Sequence, residues 1–312
     1  MHARRIWLVC ACTLGTVIAT SSHSAIFARD DRRYLSPTAG SPYSPVGLVV
    51  AGSSMKRSTG FLVDPCHVLT GEAVLGAGLS PLGRRAKFKA GIGTPRQVTS
   101  GATVIAVGGS EKIQSSAQQS QAGGKDWLLL HLDKCVGATF GYVTLNAGPF
   151  SPKEFRDLQS AGYPRGRSTR RGLTLDPSCN LLGSWGTVWT NDCALTRGDE
   201  GDPIFRLSTS GGTPRMEVYA MQSAGYIRKQ PVSMVPGYEN QAVPISLIAP
   251  QIVRYLALDS QRQAGREDTA VSKASHALSN VSGSAGLPSD RRMLGARVGA
   301  ADDKSHLYGG AK

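Results

Sequence analysis

The 312-residue sequence has few aromatic side chains, only 6% of the total, and after its first two dozen residues it has no long apolar run. A membrane-spanning helix needs about 20 consecutive apolar residues, so no later segment is expected to cross a bilayer. Cys-x-x-Cys pairs and clustered His/Cys spacings are missing, which argues against a zinc site. No Gly-x-Ser-x-Gly occurs either, and no convincing amphipathic helical repeat runs through the body of the chain. The charge is strongly one-sided, at a formal +13. Its bases gather at 84–89 and at 165–171, each run beside Gly, Pro or Ser, so both are expected to be loops. A nucleic-acid surface would want interleaved aromatics or a recognisable module. Neither is present, so nucleic acid is not an expected partner, and the bases read as a solvated surface facing anionic partners or envelope polymers.

What is there begins with a leader. Arg4 and Arg5 precede an apolar run over 6–19 and small residues around 21–25, the pattern of a secretory signal peptide, with a retained anchor as the alternative. Export bears on the cysteines. Cys10 and Cys12 leave with the signal, and Cys66, Cys135, Cys179 and Cys193 remain. An even count in an exported chain suggests two disulfides, and four cysteines allow three pairings.

Residues 26–45 have the composition of a leader arm. From Val46 the chain turns to short strands separated by Gly, Pro and Ser, expected at 46–51, 58–63, 67–70, 103–107, 126–132 and 142–145. Short strands with turn signals between them point to an all-β barrel or sandwich. Residues 146–152, rich in Gly and Pro, read as a crossing between two halves, 46–146 and 147–258. Ile248, Ile252, Tyr255 and Leu256 fall at helical spacing near the end of the second half. Residues 259–312 are Ala/Gly/Ser-rich with little apolar periodicity and are expected to be a disordered tail.

An ordered set of motifs carries a resemblance. Gly198-Asp199-Glu200-Gly201-Asp202-Pro203 resembles the Gly-Asp-Ser-Gly-Ser-Pro signature of trypsin-like serine peptidases. The stretch from Ser58 to Thr70 is similar to the strand pair that precedes the catalytic His in bacterial members. Asp126-Trp-Leu-Leu-Leu-His-Leu132 resembles the strand whose Asp orients that His. Leu158 to Pro164, Val218 to Gly225 and Asn240 to Ile245 match later strands of the family. The resemblance covers about 42–256 and implies an all-β, two-barrel chymotrypsin-type fold with a short C-terminal helix. It also implies the pairing Cys66–Cys135 in the first barrel. Cys179 and Cys193 flank a hairpin expected over 181–189 and are expected to pair with each other.

The same carry-over places Ala73 at the His position and Glu200 at the Ser position, and leaves Asp126 as the retained triad position. A carboxylate has no hydroxyl proton to give to a base, so Glu200 cannot act as the serine does. Strand alternation sets Asp126, Leu128, Leu130 and Leu132 on one face and Trp127, Leu129 and His131 on the other, so His131 cannot replace the lost base. His67, on the strand leading into the loop, reads as a satisfied, half-buried histidine. Gly198, Asp199 and Glu200 form the expected oxyanion loop, with the Glu200 carboxylate folding back onto its N–H donors. Ser223, Ala224 and Gly225 are the expected substrate-pairing strand, Ser223 also being the expected partner of Asp126. Asp199 is expected to turn inward, which disfavours a metal held by Asp199, Glu200 and Asp202. No metal and no cofactor is expected. The implied function is an exported, catalytically inactive peptidase homologue that binds a protein or peptide segment. The alternative is an active trypsin-like serine endopeptidase with non-standard catalytic residues.

Overall fold

The computed structural model describes residues 26, 30–52, 56–75, 80–108, 126–148, 155–165, 167–185, 187–209, 212–224 and 240–282. The expected signal peptide lies outside them, as do Gly225 and residues 283–312. A short strand, β1 (Arg33–Leu35), precedes β2 (Val46–Ala51), β3 (Lys56–Leu62), β4 (His67–Thr70), β5 (Arg85–Ala90), β6 (Val98–Val107) and β7 (Leu128–Leu132). Strands β2 to β7 close into a barrel in the order β2-β3-β4-β7-β6-β5. Barrel closure leaves no free sheet edge, and its period-two alternation selects an inner and an outer face. In β7 the alternation has the expected phase. Leu128, Leu130 and Leu132 point into the barrel with Val68, Phe88 and Val104, while Trp127 and Leu129 face the second half.

One basic run expected to be a loop is a barrel strand. In β5 Ala86, Phe88 and Ala90 are buried, whereas Arg85 and Lys87 are exposed. Two charged residues on alternate outward positions are compatible with a half-buried strand, and the strand turns its bases to solvent. The second run, by contrast, contains a 3-10 turn, Thr169–Arg171, and no strand among its described residues.

A short helix, α1 (Gly137–Phe140), and strand β8 (Thr144–Leu145) lead into the second half. There β9 (Leu158–Gly162), β10 (Leu173–Cys179), β11 (Leu181–Trp185), β12 (Val188–Asn191), β13 (Pro203–Ser208), β14 (Arg215–Ala224) and β15 (Asn240–Pro244) follow. They join one sheet in the order β1-β10-β9-β13-β14-β15-β12-β11, with β8 added beside β14. The architecture is therefore mostly β and of the chymotrypsin-like two-barrel class. The leader arm is not a mere arm: its Arg33–Leu35 pairs antiparallel with Leu173–Leu175. Disulfides join Cys66 to Cys135 and Cys179 to Cys193. Each links segments that the sheets already bring side by side.

The terminal helix, α2 (Ile245–Ser282), is longer than expected. Its buried Ile245, Ile248, Ala249 and Ile252 belong to the same core as Trp127 and Leu129. The sequence beyond 258 lacks an apolar stripe but is rich in Ala, Gln, Arg and Ser. A segment of good helix formers continues a helix already nucleated by packing. Met1–Asp259 forms one compact unit and Ser260–Lys312 another. Among the described residues no helix is long and apolar enough to cross a membrane.

Candidate functional site

The loop from Gly198 to Pro203 is fixed before its side chains are considered. Gly201 has a φ of +92°, and a Cβ there would lie 2.1 Å from the Thr59 carbonyl oxygen, so only glycine fits. The Thr59 N–H donates to the Glu200 carbonyl at 3.1 Å, and the Gly201 N–H donates to the Gln222 carbonyl at 2.7 Å. The Ser58 hydroxyl donates to the same Glu200 carbonyl. The loop is thus held between β3 of the first barrel and β14 of the second sheet. At its tip the Glu200 side chain turns back, and its Oε2 accepts the Gly198 N–H at 2.7 Å.

Asp199 turns the other way, into the protein. Its Oδ2 accepts the Thr196 N–H at 2.7 Å, the Thr196 hydroxyl at 3.0 Å and Arg32 Nη1 at 3.0 Å. Arg32 is itself buried and pairs through Nε with Asp30 at 2.9 Å. The sequence offered no sign of this anchor, because 167 residues separate the two partners. Asp202 is also buried, close against β9, where a Cβ on Gly162 would lie 1.8 Å from Asp202 Oδ1. Burial pushes both Asp199 and Asp202 carboxyls up, and their mutual repulsion adds to this at Asp202. Arg32 opposes the rise at both carboxyls and is in direct contact with Asp199.

The first barrel supplies the facing wall. Gly71 follows β4 with its α-carbon packed against Glu200 and Gly201, and a 3-10 turn, Glu72–Val74, carries Ala73 outward to solvent. Asp126, at the start of the chain leading into β7, is half-buried. Its Oδ1 accepts the Glu72 N–H at 3.2 Å. Burial pushes the Asp126 carboxyl up to about 8, the Glu72 and Glu200 carboxylates add to the rise, and the Glu72 N–H opposes it. The structure therefore brings together residues 71–73, 126 and 198–202, the positions singled out from sequence motifs. The residue types gathered are acidic.

One expected contact is absent. The Ser223 hydroxyl donates to the Gln241 carbonyl at 3.3 Å instead of to Asp126. The register shift between Gln222 and Ala224 directs Ser223 toward β15, and Asp126 is satisfied by a backbone N–H close in space. Ser223 and Ala224 do end β14, past the last β13 pairing at Pro203↔Met221. The histidines of the first barrel are elsewhere. His67 and His131 form a separate group with Asp64 and Asp259. Sequence reasoning recognised His67 as a satisfied histidine but not its partners, which come from three separate stretches.

In chemical terms the arrangement presents an N–H donor to an anion and fills that donor with the chain's own carboxylate. Burial and the neighbouring carboxylates favour the protonated form of Asp126. No protein-family model and no curated protein sequence matches the chain. Among solved structures, a Glu endopeptidase is similar with a TM-score of 0.57 and 16% identity, over 74% of this chain and 98% of that one. An inactivated protease paralogue from the scabies mite is similar with a TM-score of 0.51 and 12% identity, over 72% of this chain and 98% of that one. At these identities the likeness is one of fold: the chain has the fold of trypsin-like serine proteases.

Proposed function

We propose that this protein is an exported member of the trypsin-like peptidase fold that binds extended protein segments and does not hydrolyse them. The observation that carries the reading is the Gly198 N–H donating to Glu200 Oε2 at 2.7 Å. Acyl transfer on this scaffold needs a nucleophile that can lose a proton to a base, and backbone donors open to the developing oxyanion. Here the nucleophile position is Glu200, the base position is Ala73, and a donor is taken by a carboxylate. An incoming carbonyl oxygen would have to displace a charged acceptor that costs no translational entropy to hold in place. The inactivated paralogue from the scabies mite supports the idea that this fold serves without catalysis.

Binding remains open to the site. Strand β14 outruns β13 at Ser223 and Ala224, which favours pairing with an extended segment by strand addition. The two disulfides and the N-terminal leader pattern support export. The test is incubation of the purified chain with a fluorophosphonate probe and with an unfolded casein substrate. The expected result is neither labelling nor cleavage above background, together with casein-dependent protection of β14 amides from hydrogen exchange. Stoichiometric labelling of any serine would overturn the reading and favour the alternative of an active endopeptidase.

A further inference from the structure

Away from the acidic site, a second group of side chains converges on the outer face of the first barrel. His67 on β4 and His131 on β7 are direct cross-strand partners, so their side chains leave the sheet on the same face. Helix α2 passes over that face. Ile252 is buried, Tyr255 makes an edge contact with Trp127 at 6.5 Å between ring centres, and Asp259 follows four residues later on the same helical face. The three ligand-type atoms then meet. His67 Nε2 lies 3.2 Å from Asp259 Oδ2, His131 Nδ1 lies 3.1 Å from the same oxygen, and the two nitrogens are 3.3 Å apart. On its far side the His67 ring is held by Asp64, whose Oδ2 is 2.7 Å from Nδ1.

We propose that His67 Nε2, His131 Nδ1 and Asp259 Oδ2 are three ligands of a tetrahedral zinc-type cation that ties the terminal helix to the first barrel. Zinc bonds to imidazole nitrogen and carboxylate oxygen at about 2.0–2.1 Å, which sets ligand atoms of a tetrahedron about 3.3–3.4 Å apart. All three edges of the triangle fall close to that length. With Nδ1 of His67 turned to Asp64, its Nε2 is the nitrogen that faces His131 Nδ1 and Asp259 Oδ2. A cation at the centre uses one lone pair from each ligand and sends the displaced ring protons to solvent.

The donor set selects the metal class. Two imidazoles and one carboxylate suit zinc and its first-row neighbours and are poor for magnesium or calcium, which take oxygen. Asp64 supplies the outer hydrogen bond that fixes the tautomer and orientation of a metal-bound histidine. The side chains of His67 and Asp259 are 5% and 13% exposed, while that of His131 is 27% exposed. A tetrahedral ion takes water or an exogenous ligand as its fourth partner, and His131 is the most exposed of the three ligands. Nothing in the local sequence announces the site, because its ligands are 64 and 128 residues apart along the chain.

The test uses the purified chain stripped with a chelator and titrated with zinc chloride by calorimetry, and with cobalt(II) for its visible spectrum. The expected result is one equivalent of zinc at micromolar affinity or tighter, a tetrahedral cobalt spectrum and a raised thermal midpoint. His131→Ala and Asp259→Asn, both at partly exposed positions, are expected to lower the affinity by at least about 30-fold, and Asp64→Asn by about 10-fold. Absence of stoichiometric uptake by the wild-type chain would overturn the proposal. So would uptake that survives His131→Ala and Asp259→Asn, since the metal would then be held elsewhere. If one variant fails to fold, the cobalt spectrum of the wild type decides: octahedral bands, or none, exclude the site.

Discussion

The Gly198 N–H donates to the carboxylate of Glu200 two residues along, at 2.7 Å. The same carboxylate adds, after burial and Glu72, to the raised pKa of Asp126. Glu200→Gln keeps an acceptor for Gly198 and removes the charge. We expect the Asp126 carboxyl, followed by NMR titration, to move down from about 8 toward the ordinary carboxylate range in that variant while burial and Glu72 hold it partly raised. An unchanged Asp126 titration would show that the two carboxylates do not interact.

Restoring the missing chemistry should need two changes together. Ala73→His restores an imidazole at the position the motif assigns to the base, one residue past the Glu72 N–H that meets Asp126, and Glu200→Ser supplies the hydroxyl and frees the Gly198 N–H. Base and nucleophile act as a unit, so weak fluorophosphonate labelling and esterase turnover are expected only in the double variant. Because Ser223 is turned to Gln241, Asp126 would orient the new imidazole with less support, and the activity should stay far below that of an ordinary triad. A folded double variant that remains inert, even with Asp202→Ser added, would mean that these positions do not form a latent catalytic site.

Asp126 should also weaken the fold as pH rises. Its folded pKa lies above the unfolded value of about 3.9, so the folded state binds the extra proton and stability is lost between roughly pH 4 and pH 8. Asp126→Asn removes this loss. Urea unfolding should find the variant more stable than wild type by about 2 kcal/mol at pH 8 and nearly equal at pH 4, solvent access at this half-buried position limiting the gain. A difference of the same size at both pH values would refute the assignment.

The Arg32–Asp199 pair is expected to matter for folding. Arg32→Ala leaves the buried Asp199 carboxylate without its cation, a change that costs about 3–5 kcal/mol in buried pairs. Asp199→Asn in the Arg32→Ala background should recover a large part, as the uncompensated charge is gone. Chemical denaturation of the four chains in a double-mutant cycle measures this directly, and a coupling near zero would show that the pair is incidental.

The sequence by itself determined most of the first-barrel strands and the two faces of β7, while the resemblance carried by its motifs implied the Cys66–Cys135 pairing and the place of the 198–203 loop. Those features rest on local signals: period-two alternation, glycines at positions that no other residue can occupy, and a short ordered set of motifs. The same locality explains what it missed. Strand β5 was hidden because its charges point outward and only its alternate Ala86, Phe88 and Ala90 report the barrel. The reach of α2 was hidden because helix propensity continues where apolar periodicity stops. Only the tertiary structure decided that Arg32 serves Asp199, that Ser223 serves Gln241 and that His67, His131 and Asp259 share one corner. Side-chain partnerships across a barrel depend on register and on which face a distant helix covers, and no spacing along the chain encodes either.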